Sequence, residues 1–177
     1  MRAAALVLCV VCGFGASMAH SKISVMGIDE LIQSSDQIVI ATVTRVTVST
    51  AGPVTVRHAS ASVSRTLKGQ DISELQFDAT TGFFEDSSDK AIVGETVLLF
   101  LNRRDDGVYG IALAGRGRMP LRQVKHKTYA TLWNDVVLPE NAPVIPGPIP
   151  KYHFIVSVEL PYLERLIARY THVARAA

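Results

Sequence analysis

The sequence predicts a mainly β protein: a small closed or partly open β-barrel, with a short helix before its first strand and an amphipathic helix near its C-terminal end. Three observations carry this reading. From Ile38 to Leu113 the apolar residues fall in short continuous or alternating runs, separated by turn residues, which is the pattern of strands. The two longest runs change the parity of their apolar positions part-way, which a side-chain period of two allows only through an extra residue. Helical spacing of apolar residues occurs at two places, 28–34 and 160–170.

In chain order, Ile28 to Ser34 forms the first helix. Asp29 and Glu30 sit in its first turn, where the helix dipole favours acids, and Ile28, Leu31 and Ile32 make one apolar stripe. Ser34-Ser35-Asp36 break it. Ile38 to Ala41 is apolar at successive positions, so this strand is expected to be buried on both faces. Its apolar set then moves from Val39, Ala41 and Val43 to Val46 and Val48, which predicts a bulge near Thr44-Arg45. Ala51-Gly52-Pro53 is a turn. Val54 to Leu67 reads as a second long strand with its own parity switch, closed by Lys68-Gly69-Gln70-Asp71. Leu75, Phe77 and Ala79 alternate with polar residues as a half-buried strand. Thr80 to Lys90 reads as a polar loop. Thr96 to Leu101 is a buried strand, and Asp105-Asp106-Gly107 is the strongest turn signal of the chain. Tyr109, Ile111 and Leu113 are expected to form the returning strand, Gly115 and Gly117 to flank a kink, and Leu121 to Tyr129 to add one more strand. Residues 139–150 hold Pro139, Pro143, Pro146, Pro148 and Pro150, which excludes helix and inner strand and predicts an extended segment. Tyr152 to Val158 reads as a last strand. In the helix from Leu160, Pro161 suits the first turn, and Leu163, Leu166, Ile167 and Tyr170 form one face.

Residues 1–19 read as a cleaved export signal. Arg2 is its charged start, Ala3 to Phe14 its short apolar run, and Ser17-Met18-Ala19 its small-residue cleavage pattern. Cleavage after Ala19 makes His20 the first residue. Cys9 and Cys12, the two cysteines of the chain, leave with the leader, so the remainder is expected to hold no disulfide and no thiolate site. The expected location is periplasmic or secreted, with no transmembrane span after cleavage. The expected organisation is a barrel domain over 20–138, a proline-rich extended segment over 139–150, and a C-terminal strand and helix over 151–177 packed on the barrel. The 18 Lys and Arg residues nearly balance the 16 Asp and Glu. Such a balance gives no electrostatic reason to expect bulk nucleic-acid binding.

Several pieces carry a resemblance. They are Ser35-Asp36 followed by Ile38 to Val43, then Leu67-Lys68-Gly69, then Gly94 to Leu101, then Asp106-Gly107. Together they resemble a set of uncharacterised exported bacterial proteins and, more distantly, the netrin and tissue-metalloprotease-inhibitor module. That resemblance spans about Ile28 to Leu113 and implies an OB-like β-barrel. The module normally carries disulfides that shape its inhibitory edge, and a chain without cysteine after its leader does not support protease inhibition by that route.

Candidate chemistry is sparse. His20 at a free N-terminus would offer an α-amine and an imidazole together, and with a second histidine could hold copper(II) in a nitrogen site of the histidine-brace type. His58, His126, His153 and His172 are the possible second ligands, and the bland alternative is a frayed terminus. Arg116, Arg118, Arg122, Lys125 and Lys127 form a basic stretch, read as a solvated strand face with an acidic partner or surface as the functional alternative. Phe83 and Phe84 form an apolar loop tip that is either a loop anchor or a partner contact. Glu85, Asp86 and Asp89 lack the spacing of a calcium loop. The nucleophile-elbow, zinc-protease, phosphate-loop and dinucleotide patterns are absent, and the serines near His58 alternate along a strand as surface residues do. The expected function is therefore a non-enzymatic exported binding or structural module recognising a protein, peptide or envelope component. A copper protein using His20 is the alternative, and a hydrolase with a non-standard site is a third class.

Overall fold

A computed structural model describes residues 25–51, 54–79, 91–133, 135–148 and 155–176. The strands are β1 (Met26–Gly27), β2 (Gln37–Ala51), β3 (Val54–Lys68), β4 (Glu74–Asp78), β5 (Thr96–Asn102), β6 (Gly110–Ile111), β7 (Arg118–Val124), β8 (Lys127–Trp133), β9 (Val136–Val137), β10 (Val144–Pro146) and β11 (Ile155–Glu159). The helices are α1 (Ile28–Ser34) and α2 (Leu160–Ala176). The fold is mainly β with one helix at each end of the described chain.

The main sheet runs in the order β10-β11-β8-β7-β5-β2-β3-β4, with β6 branching off β5. It does not close as a continuous ladder. One parallel bridge, Phe77 to Tyr109, brings β4 back towards β6 and so towards β5. Asp78 N–H donates to Tyr109 O at 2.8 Å and Tyr109 N–H to Gln76 O at 2.9 Å. The result is a partly open barrel of β2, β3, β4, β6 and β5, with β7, β8, β11 and β10 continuing the sheet beyond it.

Strand β2 is buried on both sides because it separates two cores. Val39, Ala41 and Val43 face the barrel interior with Ala59, Ala61, Phe77, Val97, Leu99 and Leu101. Ile38 and Ile40 face the outer layer, where Leu98, Phe100, Met119 and Leu132 meet the apolar faces of α1 and α2. Helix α1 contributes Ile28, Leu31 and Ile32, and α2 contributes Leu163, Leu166 and Ile167. Burying a side chain of this size stabilises by roughly 1.5–3 kcal/mol, so an element feeding two cores at once is the natural centre of the fold.

The bulge expected near Thr44-Arg45 is present: the β2–β3 register shifts between Val43 and Arg45. The parity switch of β3, between Val56 and Ala59, comes without an extra residue there, since Val54 to Ser60 pair with β2 in unbroken register; the bulges of β3 lie further along. Register shifts at Ile38/Val39 and Ile40/Ala41 leave Leu67 and Ser64 as the extra residues. Ser64 Oγ uses its position to donate to Ile40 O at 3.1 Å.

Two sequence expectations need correction. The returning strand over Tyr109, Ile111 and Leu113 stops at Ile111. Leu113 adopts φ 51° and starts a 3-10 turn that moves the chain from β6 to β7 along the same edge of β5. The single strand over Leu121 to Tyr129 is two strands, β7 and β8, joined by Lys125-His126 with φ 47° and 65°. A turn made of lysine and histidine carries none of the Gly or Asn that normally marks positive φ, so composition could not reveal it. The proline-rich segment does contain an extended edge strand: β10 pairs with β11, Ile145 opposite Ser157. Among the described residues no helix is long and apolar enough to cross a membrane.

Candidate functional site

The parity break in β2 has a chemical consequence. Past the bulge, Arg45 lies opposite Ser60, and Ser60 opposite Gln76. Directly paired residues share a face of the sheet, so these three polar side chains form one row across β2, β3 and β4. One step along, Ser62 lies opposite Glu74. The bulge itself is held by Thr44 Oγ1 donating to Ser60 O at 3.1 Å. Arg45, Ser60, Ser62, Glu74, Gln76 and Tyr109 line a groove of about 610 Å³. Tyr109 reaches it because the Asp105-Asp106-Gly107 turn sends the chain back against β4. Asp106 Oδ1 accepts from Val108 N–H at 3.0 Å, and Gly107 takes φ 78°. Arg104 ties this turn to the barrel through Asp78 at 3.1 Å.

The groove holds hydroxyls, an amide, one guanidinium and one carboxylate. It has no arrangement of nucleophile, base and orienting group. The serine alternation of β3 was legible as a surface feature, and an arginine beside a predicted bulge was visible too. The part of Gln76 and Tyr109 was not, since each depends on strands meeting across the barrel.

The basic stretch does not form one solvated face. Arg116 and Arg118 are buried, 7% and 8% exposed. Arg116 Nε lies 2.8 Å from Asp135 Oδ2, and its guanidinium stacks 4.5 Å from the centroid of Trp133. Arg118 pairs with Glu95. Arg122 is half-buried, with Nε donating to Ser157 Oγ at 3.1 Å. Lys127 Nζ donates to Glu159 Oε1 at 2.5 Å, and this hydrogen bond, helped by the glutamate charge, raises its pKa. Lys125 and His126 are exposed in the β7–β8 turn. Alternation separates Arg118 and Arg122 from Met119 and Leu121, which pack on the outer core. The acids that hold the arginines come from distant segments, a signal that sequence order hides.

His20, Phe83, Phe84, His153 and the acidic residues of the 80–90 loop lie outside the described residues. Of the remaining histidines, His58 sits half-buried on β3 opposite Asp78, and its Nδ1 has no hydrogen-bond partner among the described residues. The backbone of His172 belongs to α2. Among the described residues no three histidine, cysteine, aspartate or glutamate side chains group as a metal site.

The pieces of the sequence resemblance are spread over the barrel: Asp36 and Lys68 sit at the Gln37 end of β2, Gly94 at its Val43 end, and Gly107 beside the groove. Lys68 Nζ donates to Ile32 O at 2.7 Å and Gln33 O at 2.9 Å, closing the C-terminal end of α1. Asp36 Oδ2 accepts from Arg103 N–H at 2.8 Å. These contacts hold the fold together. No family model matches the chain, and no curated protein matches it.

Proposed function

We propose that this protein is an exported, non-enzymatic binding module that holds a segment of extended peptide from an envelope or extracellular protein in the groove beside the β2 bulge. The observation that carries the reading is the lining of that groove. It places one positive charge, one negative charge, two serine hydroxyls, an amide and a phenol around about 610 Å³. That volume is of the size that accommodates a ligand, roughly 300–1,000 Å³. Mixed charge and hydroxyls suit a peptide, with its alternating donors and acceptors, better than a polyanion. The arginines that would have served a polyanion are already committed to Asp135 and Glu95. Export rests on the leader-like residues 1–19. The partly open barrel, with a helix before its first strand, supports a netrin-like architecture used for binding.

A random peptide library displayed on phage, panned over the immobilised protein, tests this. Enriched peptides are expected to lose binding to a Ser62→Trp variant, whose indole fills the groove from an exposed position. Absence of any enriched peptide, or equal binding to the variant, would sink the reading.

A further inference from the structure

Beyond the bulge, β2 leaves β5 and runs on with β3 as an arm, β3 staying joined to β4 as far as Arg57. The β2–β5 ladder ends at Thr42 opposite Thr96, and a last pair of backbone bonds joins Val43 to Gly94 and Glu95. From Thr44 to Ala51, β2 pairs with β3 alone among the described residues. The orientation of this free edge follows from one hydrogen bond. Arg57 turns its carbonyl to Ala79 N–H, away from β2. Its partner Val48 must therefore turn its own N–H and C=O away from β3, because facing residues of an antiparallel pair either exchange both bonds or neither. Val46 and Thr50, two positions either side, turn the same way. The arm thus presents a row of outward backbone donors and acceptors at Val46, Val48 and Thr50.

Natural edge strands are usually blunted by charge, proline, a short length or a covering segment. This one is long and rich in β-formers, and Arg45 is the one charge from Thr44 to Ala51. We infer that the β2 edge pairs with the β2 edge of a second copy of this chain, antiparallel and centred on Val48. In that register Val48 exchanges both backbone bonds with its counterpart, and Val46 does so with Thr50 of the partner subunit. Arg45 falls opposite Ala51 of the partner subunit, so no like charges meet. A two-fold contact of this kind is self-complementary and closes on itself.

The apolar surface agrees. Val48 is 49% exposed, and Ile92 and Val93, at the root of the same edge beside Gly94, are 59% and 58% exposed. These three stand among the few large apolar side chains so exposed in the described residues. Centring the pair on Val48 brings the tip of each arm to the root of the other, where Ile92 and Val93 lie. Pairing through one short edge is expected to bury less than the roughly 1,200–2,000 Å² of stable complexes, so the association is expected to be weak and concentration-dependent.

Sedimentation velocity across a concentration series tests this. The purified protein is expected to pass from monomer to dimer. Val48→Pro removes an outward N–H that the β2–β3 ladder does not use, and Val48→Lys sets two ammonium groups face to face. Both variants are expected to stay monomeric, with the emission of Trp133 unchanged as the check on folding. Mixing Val48→Lys with Val48→Glu should restore a dimer containing one of each. A protein monomeric at every concentration overturns the inference, even if a foreign peptide adds to the same edge. So does a dimer that Val48→Lys leaves intact.

Discussion

The side chain of Gln37 forms a two-point pair with the backbone of Gln70. Gln37 Nε2 donates to Gln70 O at 2.7 Å, and Gln70 N–H donates to Gln37 Oε1 at 2.9 Å. A buried amide at the start of β2 therefore holds the turn that ends β3. Gly69 makes the approach possible. Its φ is 95°, and a Cβ there would come within 2.1 Å of Gln37 Oε1.

Gln37→Leu is expected to lower stability by about 1 kcal/mol, because Gln70 is exposed and water replaces both lost bonds. Gln37→Glu loses the donor and buries a charge, for a larger loss of about 3 kcal/mol. Gly69→Ala should cost less in the Gln37→Leu background than in the wild type, since the two share one contact. Urea unfolding measures all three. Equal stability of Gln37→Glu and wild type would contradict the pairing.

Arg116 and Trp133 offer a direct optical readout, since Trp133 is the one tryptophan in the sequence. Arg116→Met removes both the stacked cation and the partner of Asp135. The expected loss is about 2 kcal/mol, below the usual figure for a buried pair because Asp135 keeps some contact with water. Tryptophan emission should shift in the folded state. An unchanged spectrum would show that the guanidinium does not lie over the ring.

Two lysines make opposite contributions at alkaline pH. The pKa of Lys127 is raised above 10.5 by its hydrogen bond to Glu159 and by that carboxylate's charge. Its stabilisation is complete below 10.5 and is lost as pH rises through the folded value. The pKa of Lys68 is lowered by burial, which the charge of Asp36 only partly offsets. The folded protein then binds fewer protons than the unfolded chain between the lowered value and 10.5, so this group makes stability rise with pH there. Unfolding followed from pH 8 to 12 (about the range lysine titration covers) should show the advantage of wild type over Lys127→Met shrinking with pH. The difference between wild type and Lys68→Met should move the other way. Parallel curves would refute both assignments.

The β7–β8 turn can be improved. Lys125 and His126 hold φ 47° and 65° between Val124 and Lys127, the conformation Asn-Gly adopts with little strain. Replacing both, Lys125→Asn with His126→Gly, is expected to stabilise by about 0.5–1 kcal/mol. A rise in the thermal midpoint checks this, and a fall would mean that the lysine or histidine side chain holds a contact of its own.

Elements that depend on local pattern were legible from the residues. Helix α1 followed from Ile28, Leu31 and Ile32, the two-sided burial of β2 from Ile38 to Ala41, and the bulge from the parity change between Val43 and Val46. The β7–β8 turn was not, because neighbouring strands imposed its positive φ on residues that do not favour it. The same holds for Arg116 and Arg118. In the linear chain they stand in a basic run, yet folding sets Asp135 and Glu95 beside them.

The sequence by itself determined both helices and strands β2 to β5, because side-chain periodicity and φ preference act within a few residues. It also determined where β2 must bend, since a period of two cannot change phase without an added residue. Only the tertiary structure decided that Phe77 meets Tyr109, that Gln37 holds Gln70, that Arg45, Ser60 and Gln76 form one row, and that past Val43 the β2 edge is left unpaired among the described residues. Each of these depends on which strands become neighbours, and that choice rests on burying two cores at once rather than on any local signal.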